Sequence, residues 1–226
     1  MEPIITNIFC IMGKRGSGKS TLIKNILNKS DFVDKHDILK LVIGTTKPMG
    51  PYDIEGDTYH FYTKDEFENI DPDDFIESRS YDIIYTNDIH FYFTLKDHIK
   101  FGKNYIGQFT AFQYEEFKKW ALLAQLKNSL IRINIYPIMI NAPIFEREKR
   151  LMNKASTEQD VYDMCSRLIT EKYEFSSVIK NNPELIDSMN PDTCILDNSK
   201  STKQNMALLT NTVEKFISNK IIIQGR

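Results

Sequence analysis

The chain has 226 residues, 41% of them hydrophobic and 27% charged, which is typical of a soluble globular protein and excludes a disordered one. Its formal net charge of -2 provides no basic field for nucleic acid or a membrane surface, and no apolar run approaches the about 20 residues that cross a bilayer. Three scattered cysteines and four scattered histidines argue against a disulfide framework or a zinc site, so we expect a cytoplasmic α/β protein.

Apolar, β-branched runs alternate with segments of helical periodicity along the chain. Pro137 has no backbone N–H, so we expect it near the end of its strand. The predicted elements are strands at 4–12, 38–44, 59–62, within 75–94, at 103–109, 130–140 and 193–196, and helices at 20–28, 64–70, 114–125, 143–154, 158–175 and 203–218, with a loop at 47–57.

This alternation predicts a three-layer α/β fold with a doubly wound, mainly parallel sheet. We expect a single domain over residues 1–226, whose core is formed by residues 1–44 and 100–226. The β-rich segment 45–99 is predicted to be an insertion beside the core sheet.

A glycine-rich segment between the first predicted strand and helix matches the phosphate-loop pattern G-x-x-x-x-G-K-S/T. Its glycines let backbone N–H groups converge on phosphate oxygens, and the helix N-terminus adds partial positive charge. Lys19 is predicted to bind the β- and γ-phosphates of ATP, and the Ser20 hydroxyl to bind Mg²⁺. The residues assigned to ATP binding are Gly13, Lys14, Arg15, Gly16, Ser17, Gly18, Lys19, Ser20 and Thr21.

A phosphate loop by itself is shared by kinases, GTPases and motor ATPases. A motor ATPase is usually longer, and its apolar strand ends in acidic metal ligands, whereas the strand predicted at 130–140 is followed by Asn141. The small size of the chain favours a small-molecule kinase.

Four short segments after the phosphate loop resemble the acceptor-binding region of the guanylate kinases. They are Thr45-Thr46-Lys47-Pro48, Glu55-Gly56-Asp57-Thr58-Tyr59-His60-Phe61, Asp65-Glu66-Phe67 and Asp74-Phe75-Ile76-Glu77. The resemblance extends to about residue 109 and resumes from about 135 to 217. It implies a P-loop nucleoside monophosphate kinase with a β-rich acceptor-binding insertion and a helical lid.

The resemblance implies an acceptor site built by Thr45, Lys47, Tyr59 and Glu77. The first three would bind the monophosphate. The Glu77 carboxylate would accept two hydrogen bonds from a guanine edge, which adenine cannot match. Without the resemblance, Glu77 would equally well be a solvent-facing strand residue.

The resemblance also implies a lid near residues 150–166, in which Arg150, Lys154 and Arg167 would contact the transferring phosphoryl group. Arg147, Arg150 and Lys154 have helical spacing, so a solvated basic helix face is the alternative. Asn198, after the last predicted strand, would bind the adenine of ATP.

Several positions depart from the family pattern and leave the acceptor base open. Lys47 replaces an arginine, Gly50 stands where a second phosphate-binding arginine is usual, Ile43 replaces a serine, and Gln108 lies in a strand that lacks the usual acidic residues. The expected activity is ATP-dependent phosphorylation of GMP or dGMP with Mg²⁺. The alternatives are a kinase for another or a modified nucleotide, or a non-catalytic binding module. We expect small-molecule nucleotides as partners, no nucleic acid or membrane, and a monomer or homodimer.

Overall fold

The computed structural model describes residues 2–83, 88–155, 157–182, 185, 194–197 and 201–223. Two sheets and their flanking helices make up these parts of the chain. The strands are β1 (Ile4–Met12), β2 (Ile38–Lys40), β3 (Gly44–Thr45), β4 (His60–Phe61), β5 (Phe75–Ile83), β6 (Asp88–Leu95), β7 (Asn104–Gln108), β8 (Ile131–Asn141) and β9 (Cys194–Asp197). The helices are α1 (Lys19–Leu27), α2 (Ser30–His36), α3 (Lys64–Glu68), α4 (Ala111–Lys127), α5 (Ile144–Met152), α6 (Glu158–Asn181) and α7 (Thr202–Ile223).

The first sheet is parallel throughout, with the strand order β2-β7-β1-β8-β9. Both of its faces are covered, which explains why the second half of β1, Ile8–Met12, is a continuous apolar run. Ile8, Cys10 and Met12 pack towards α4, whereas Phe9 and Ile11 pack towards α1 and α7. The predicted α/β fold with a mainly parallel sheet is confirmed.

Pro137 corrects one detail of the prediction, because it lies inside β8, four residues before the strand ends. It pairs with Cys10 of β1 on one side. On the other side β9 begins to pair only at Ile138. Among the described residues, no strand pairs with β8 at Pro137 on that side, so the missing N–H of Pro137 costs no hydrogen bond between strands there.

The second sheet, with the order β4-β3-β6-β5, is formed within residues 44–95. The predicted strand at 38–44 is confirmed only over Ile38–Lys40, because the chain then leaves the first sheet and Gly44–Thr45 pairs with β6 of the second. Gly44 allows the close approach to β6, since a Cβ there would lie 2.5 Å from the Phe93 ring. One face of this sheet packs against Phe67 of α3.

Six of the seven helices in the described residues agree with the predictions in position and differ at their ends, whereas α2 was not predicted. Helix α4 begins at Ala111 because a capping box formed by Thr110 and Gln113 starts it three residues early. Helix α5 ends at Met152, so the helical spacing argument does not extend to Lys154. Across the part of the chain that the structure describes, no helix is long and apolar enough to cross a membrane.

Candidate active site

The phosphate loop leaves the carboxyl end of β1 and leads directly into α1, as the sequence predicts. A turn closes it, with the Ser17 N–H donating to the Lys14 carbonyl at 3.1 Å. Gly18 is the N-cap of α1 in a left-handed conformation, and neither a capping side chain nor an acidic residue occupies the first turn. The N–H groups at the start of α1 therefore form an anion-binding end.

The Lys19 side chain folds back over this loop. Its Nζ donates to the Gly13 carbonyl at 2.5 Å and to the Lys14 carbonyl at 3.2 Å. Burial lowers the pKa of Lys19 to about 8, with the nearby Glu171 carboxylate opposing the shift and the Arg15 and Arg147 cations adding to it. Lys19 is thus placed as a cation that lies against the loop itself.

Glu171 of α6 lies beside the loop, a contact that the sequence did not reveal. Its Oε1 accepts a hydrogen bond from the Arg15 backbone N–H at 2.5 Å, and its Oε2 lies 4.0 Å from Arg147 Nη1. A carboxylate therefore already occupies part of the anion-binding surface. Arg167 precedes Glu171 by one helical turn, but its side chain is outside the described residues.

Helix α5 is fastened to the loop by two arginines. Arg147 Nη1 donates to the Arg15 carbonyl and Arg150 Nη1 to the Gly16 carbonyl, both at 3.1 Å. Gly16 has a φ of 73°, and a Cβ there would lie 2.6 Å from the Arg147 carbonyl oxygen. Arg147 and Arg150 are therefore not a solvated helix face. Lys154 is exposed beyond the end of the helix.

Ser20 lies in the first turn of α1, where its hydroxyl accepts a hydrogen bond from Gln108 Nε2 at 3.0 Å. Gln108 ends β7, the neighbour of β1. The oxygen atoms that could bind a metal here, those of the Ser20 hydroxyl and the Gln108 amide, are neutral. Such a site suits Mg²⁺, which usually keeps several waters and takes further ligands from substrate phosphates. The residues present therefore fit the predicted metal, with Ser20 as its protein ligand.

The predicted monophosphate residues cluster on the second sheet. Lys47 Nζ forms an ion pair with Asp53 Oδ2 at 2.6 Å and lies 5.8 Å from the centre of the Tyr59 ring. The same Asp53 oxygen accepts from the Gly50 N–H at 2.9 Å, and these contacts hold the pKa of Asp53 below its usual value. Thr45 is buried, and its hydroxyl accepts from the Lys47 backbone N–H at 3.1 Å. Thr45 therefore positions Lys47.

Glu77 is buried, with a side chain that is 0% exposed, so the alternative of a solvent-facing strand residue is wrong. Its Oε1 accepts from Thr94 Oγ1 at 2.8 Å and from Gln113 Nε2 at 3.0 Å. Its Oε2 pairs with Arg79 Nη1 at 2.6 Å. A carboxylate buried in this way is held in one orientation by three donors from different elements.

The two halves of the site meet at one edge of the parallel sheet. The phosphate loop follows β1, and Gln113 lies in the first turn of α4, shortly after the neighbouring strand β7 ends. Because carboxyl ends of parallel strands share one edge, Gln113 places Glu77 on the same side of the sheet as the loop. Ligands of α/β proteins bind in such a crevice.

A GTPase is excluded by position. Asn28-Lys29-Ser30-Asp31 has the letters N-K-x-D that GTPases use to bind guanine. It begins at the C-cap of α1, nine residues after Lys19, where the helix starts. At the rise of an α-helix this is about 13 Å away, at the wrong end of α1 for a nucleotide bound to the loop.

Comparison with known proteins identifies the family. The family model of guanylate kinase matches residues 5–92. The guanylate kinase of Blochmanniella floridana is 32% identical over 165 residues, covering 71% of this chain and 70% of that protein. This chain belongs to the guanylate kinase family. The guanylate kinase of Rhodopirellula baltica is 26% identical over 199 residues, covering 85% of this chain and 88% of the relative.

The fold agrees with this assignment. The crystal structure of guanylate kinase from Anaplasma phagocytophilum superimposes with a TM-score of 0.56 at 17% identity, over 95% of this chain and 87% of that one. Membership of the guanylate kinase family makes the protein a phosphotransferase of the nucleoside monophosphate kinase type.

Several contacts of the site were not found from the sequence. Asp53, Gln113 and Glu171 are ordinary polar residues in sequence, and only the fold brings them to Lys47, Glu77 and Arg15 respectively. Arg79 had a signal, because residues two apart on a strand share a face. Asn198 lies outside the described residues, so its assignment to adenine remains a prediction.

The lowered pKa of Lys19 leads to a prediction about pH. In the free protein Lys19 loses its proton near pH 8, whereas bound phosphates would raise its pKa. The dissociation constant of a fluorescent ATP analogue should therefore rise as the pH increases from about 7 to about 9.5, approaching tenfold per pH unit above the pKa of the free protein. Lys19→Arg keeps its charge and should show a flat profile. A flat wild-type profile would contradict the assignment.

Proposed function

We propose that the protein transfers the γ-phosphoryl group of ATP to GMP or dGMP in the presence of Mg²⁺, forming ADP and GDP or dGDP. The observation that carries this proposal is the buried Glu77 carboxylate, which Thr94 and Gln113 hold at the sheet edge beside a complete phosphate loop. Fixed acceptor oxygens suit the N1–H and exocyclic amine of guanine. They do not suit the N1 acceptor of adenine.

The donor half binds ATP through the loop. The N–H groups at the start of α1 contact the phosphates, and Lys19 exchanges its bonds to the Gly13 and Lys14 carbonyls for phosphate oxygens. Ser20 would hold Mg²⁺, which would act as a Lewis acid and reduce the negative charge of the donor phosphates. Glu171 must leave the Arg15 N–H as the phosphates enter, because the two anions compete for that donor.

The acceptor half binds the monophosphate through Lys47 and the Tyr59 hydroxyl. Two residues position Lys47. The Thr45 hydroxyl accepts a hydrogen bond from its backbone N–H, and the Asp53 carboxylate binds its ammonium group. A lysine replaces bidentate arginine geometry with a point charge, so this site binds phosphate by charge more than by shape. The insertion over residues 45–99 thereby forms the acceptor-binding part of the protein.

The lid supplies the remaining cations. Arg150 lies at the Gly16 carbonyl already, and we assign Lys154 and Arg167 to the transferring phosphoryl group when residues 150–166 close over the site. Phosphoryl transfer develops charge on oxygen atoms, which these cations stabilise. Closure also keeps water from competing as the acceptor.

Asn198 would bind adenine. We place the activity in the cytoplasm, where ATP and nucleoside monophosphates are available.

A kinase for another nucleotide is the second candidate, and one observation favours it. Both oxygens of Glu77 already have donors from the protein, and Arg79 takes the oxygen that Thr94 and Gln113 leave. A base that lacks two adjacent donors would leave these contacts undisturbed.

An acceptor panel tests the proposal. The purified protein is incubated with MgATP and each ribo- and deoxynucleoside monophosphate, and ADP formation is measured against a reaction without acceptor. We expect kcat/KM for GMP or dGMP to exceed that for the other bases by about a hundredfold or more, because the wrong edge leaves buried polar groups unpaired. Preference for a pyrimidine nucleotide would contradict the guanine assignment. No turnover of any acceptor would indicate a binding module.

A further inference from the structure

Arg79 lies in the acceptor site without an assigned role. It is two residues from Glu77 on β5, so both side chains project from the same face of the sheet. Its side chain is 14% exposed, and its guanidinium carbon lies 5.9 Å from the centre of the Tyr92 ring. Arg79 is therefore held against an aromatic residue and a buried carboxylate.

The hydrogen bonds of this pair are unevenly distributed. A carboxylate offers about four lone-pair positions, and Glu77 uses two on Oε1 and one on Oε2 for protein donors. An arginine carries five N–H groups, and Arg79 donates one of them to Glu77. Its Nε is buried and has no hydrogen-bond partner. The site thus presents an unused buried donor next to the carboxylate.

We propose that Arg79 determines acceptor specificity by donating a hydrogen bond to the carbonyl oxygen at C6 of a purine, while Glu77 accepts from N1–H. This rests on the proposed function, since it names how the same site selects its base. Guanine carries O6 and N1–H side by side, so a donor beside an acceptor matches its edge. Adenine carries an amine at C6 and a lone pair at N1, which reverses both positions.

The ion pair places a cation directly against the buried Glu77 side chain. Removing one partner of such a pair leaves an uncompensated charge, so Arg79 and Glu77 form one unit. A bound 6-oxopurine satisfies the buried Nε–H, which otherwise has no partner. The purine is therefore recognised by a pre-assembled donor and acceptor.

Three acceptors separate this role from a structural one. GMP has O6, N1–H and the 2-amino group, IMP lacks the 2-amino group, and 6-thioguanosine monophosphate keeps N1–H and the 2-amino group but carries sulfur, a weak hydrogen-bond acceptor, in place of O6. With Arg79→Met, kcat/KM for GMP and IMP should fall by about tenfold to a hundredfold. The value for 6-thioguanosine monophosphate should change by less than about threefold, because its C6 sulfur forms only a weak hydrogen bond with Arg79 in the wild type.

Two further variants complete the test. Arg79→Lys keeps a cation opposite Glu77, and we expect a smaller loss with GMP, about threefold to tenfold, with the value for 6-thioguanosine monophosphate again nearly unchanged. Ser80→Ala, an exposed position on the other face of β5, should leave all three values at the wild-type level. Thermal unfolding of each variant shows whether it is folded, and Arg79→Lys carries the test if Arg79→Met is not.

Each outcome decides between the two proposals. A selective loss with the 6-oxopurines supports the role of Arg79. An equal loss with all three acceptors, or none, overturns it and leaves Arg79 as a structural partner of Glu77. If wild-type protein does not phosphorylate GMP or IMP at all, the guanine assignment itself fails, and this result is visible before any variant is compared.

Discussion

Replacing Lys19 by alanine is expected to abolish ATP-dependent phosphoryl transfer. The ammonium group lies against the loop carbonyls of Gly13 and Lys14, from which it reaches the phosphates that the loop binds. A cation preorganised in a partly buried site is worth several kcal/mol in the transition state, and a loss of about 4 kcal/mol corresponds to a rate reduction of about a thousandfold. The measurement is initial-rate kinetics with GMP and saturating MgATP.

The matched control is Lys24→Ala, which removes an exposed lysine from the same helix, more than one turn beyond Lys19. Its kcat/KM should equal the wild-type value. Thermal unfolding of Lys19→Ala should show a folded protein, because most of the stabilisation of α1 comes from the buried face that includes Leu22 and Ile26. A Lys19→Ala variant with activity within about tenfold of the wild type would contradict the phosphate-loop assignment.

Replacing Glu77 by glutamine is expected to lower kcat/KM for GMP by about tenfold to a hundredfold, with little change in ATP affinity. The amide keeps the shape of the side chain and replaces one acceptor by a donor. In one orientation the new NH2 group meets the donor Arg79, and in the other it meets the donors Thr94 and Gln113. Guanine N1–H is also a donor, so it loses one of the acceptors that Glu77 offers. A buried polar group left without its partner costs about 1–3 kcal/mol, more where a charge is involved.

The same change should also lower the melting temperature, because Arg79 loses its buried counter-ion. Kinetics are therefore measured well below the melting temperature, with the folded fraction checked by circular dichroism. Glu68→Gln on the exposed surface of α3 is the matched control and should alter neither property. Full GMP activity of Glu77→Gln would show that Glu77 does not bind the base.

The phosphate loop was predictable because its chemistry is contiguous in sequence. Strand β1, the nine loop residues and α1 follow one another, and the strand was predicted with its observed bounds. The apolar run over Ile8–Met12 is unambiguous, because both faces of this part of β1 are buried, although the buried Thr6 and Asn7 before it are polar. Local pattern and tertiary structure therefore agree over residues 4–27.

The surroundings of Glu77 were not predictable in the same way. Thr94 and Gln113 follow Glu77 by 17 and 36 positions and belong to β6 and α4, so only the fold shows that they meet. Gly44 was predicted to continue β2, because apolar continuity does not reveal that a chain changes sheets. Glu171 reaches Arg15 across 156 positions, a contact for which sequence patterns carry no signal.

The two hydrogen bonds that hold α5 against the phosphate loop limit which part of the proposed lid can move. Arg147 and Arg150 donate to consecutive loop carbonyls, and the Gly16 backbone leaves no space for a Cβ against Arg147. We therefore expect the loop and α5 to move as one rigid body, because a displacement of α5 alone would distort the phosphate site. For the lid proposed at residues 150–166, we expect the closing movement to begin beyond the C-cap of α5 at Asn153, in the connection to α6. Insertions or stiffening substitutions in that connection would change the rate of opening and closing while leaving the geometry of the loop intact.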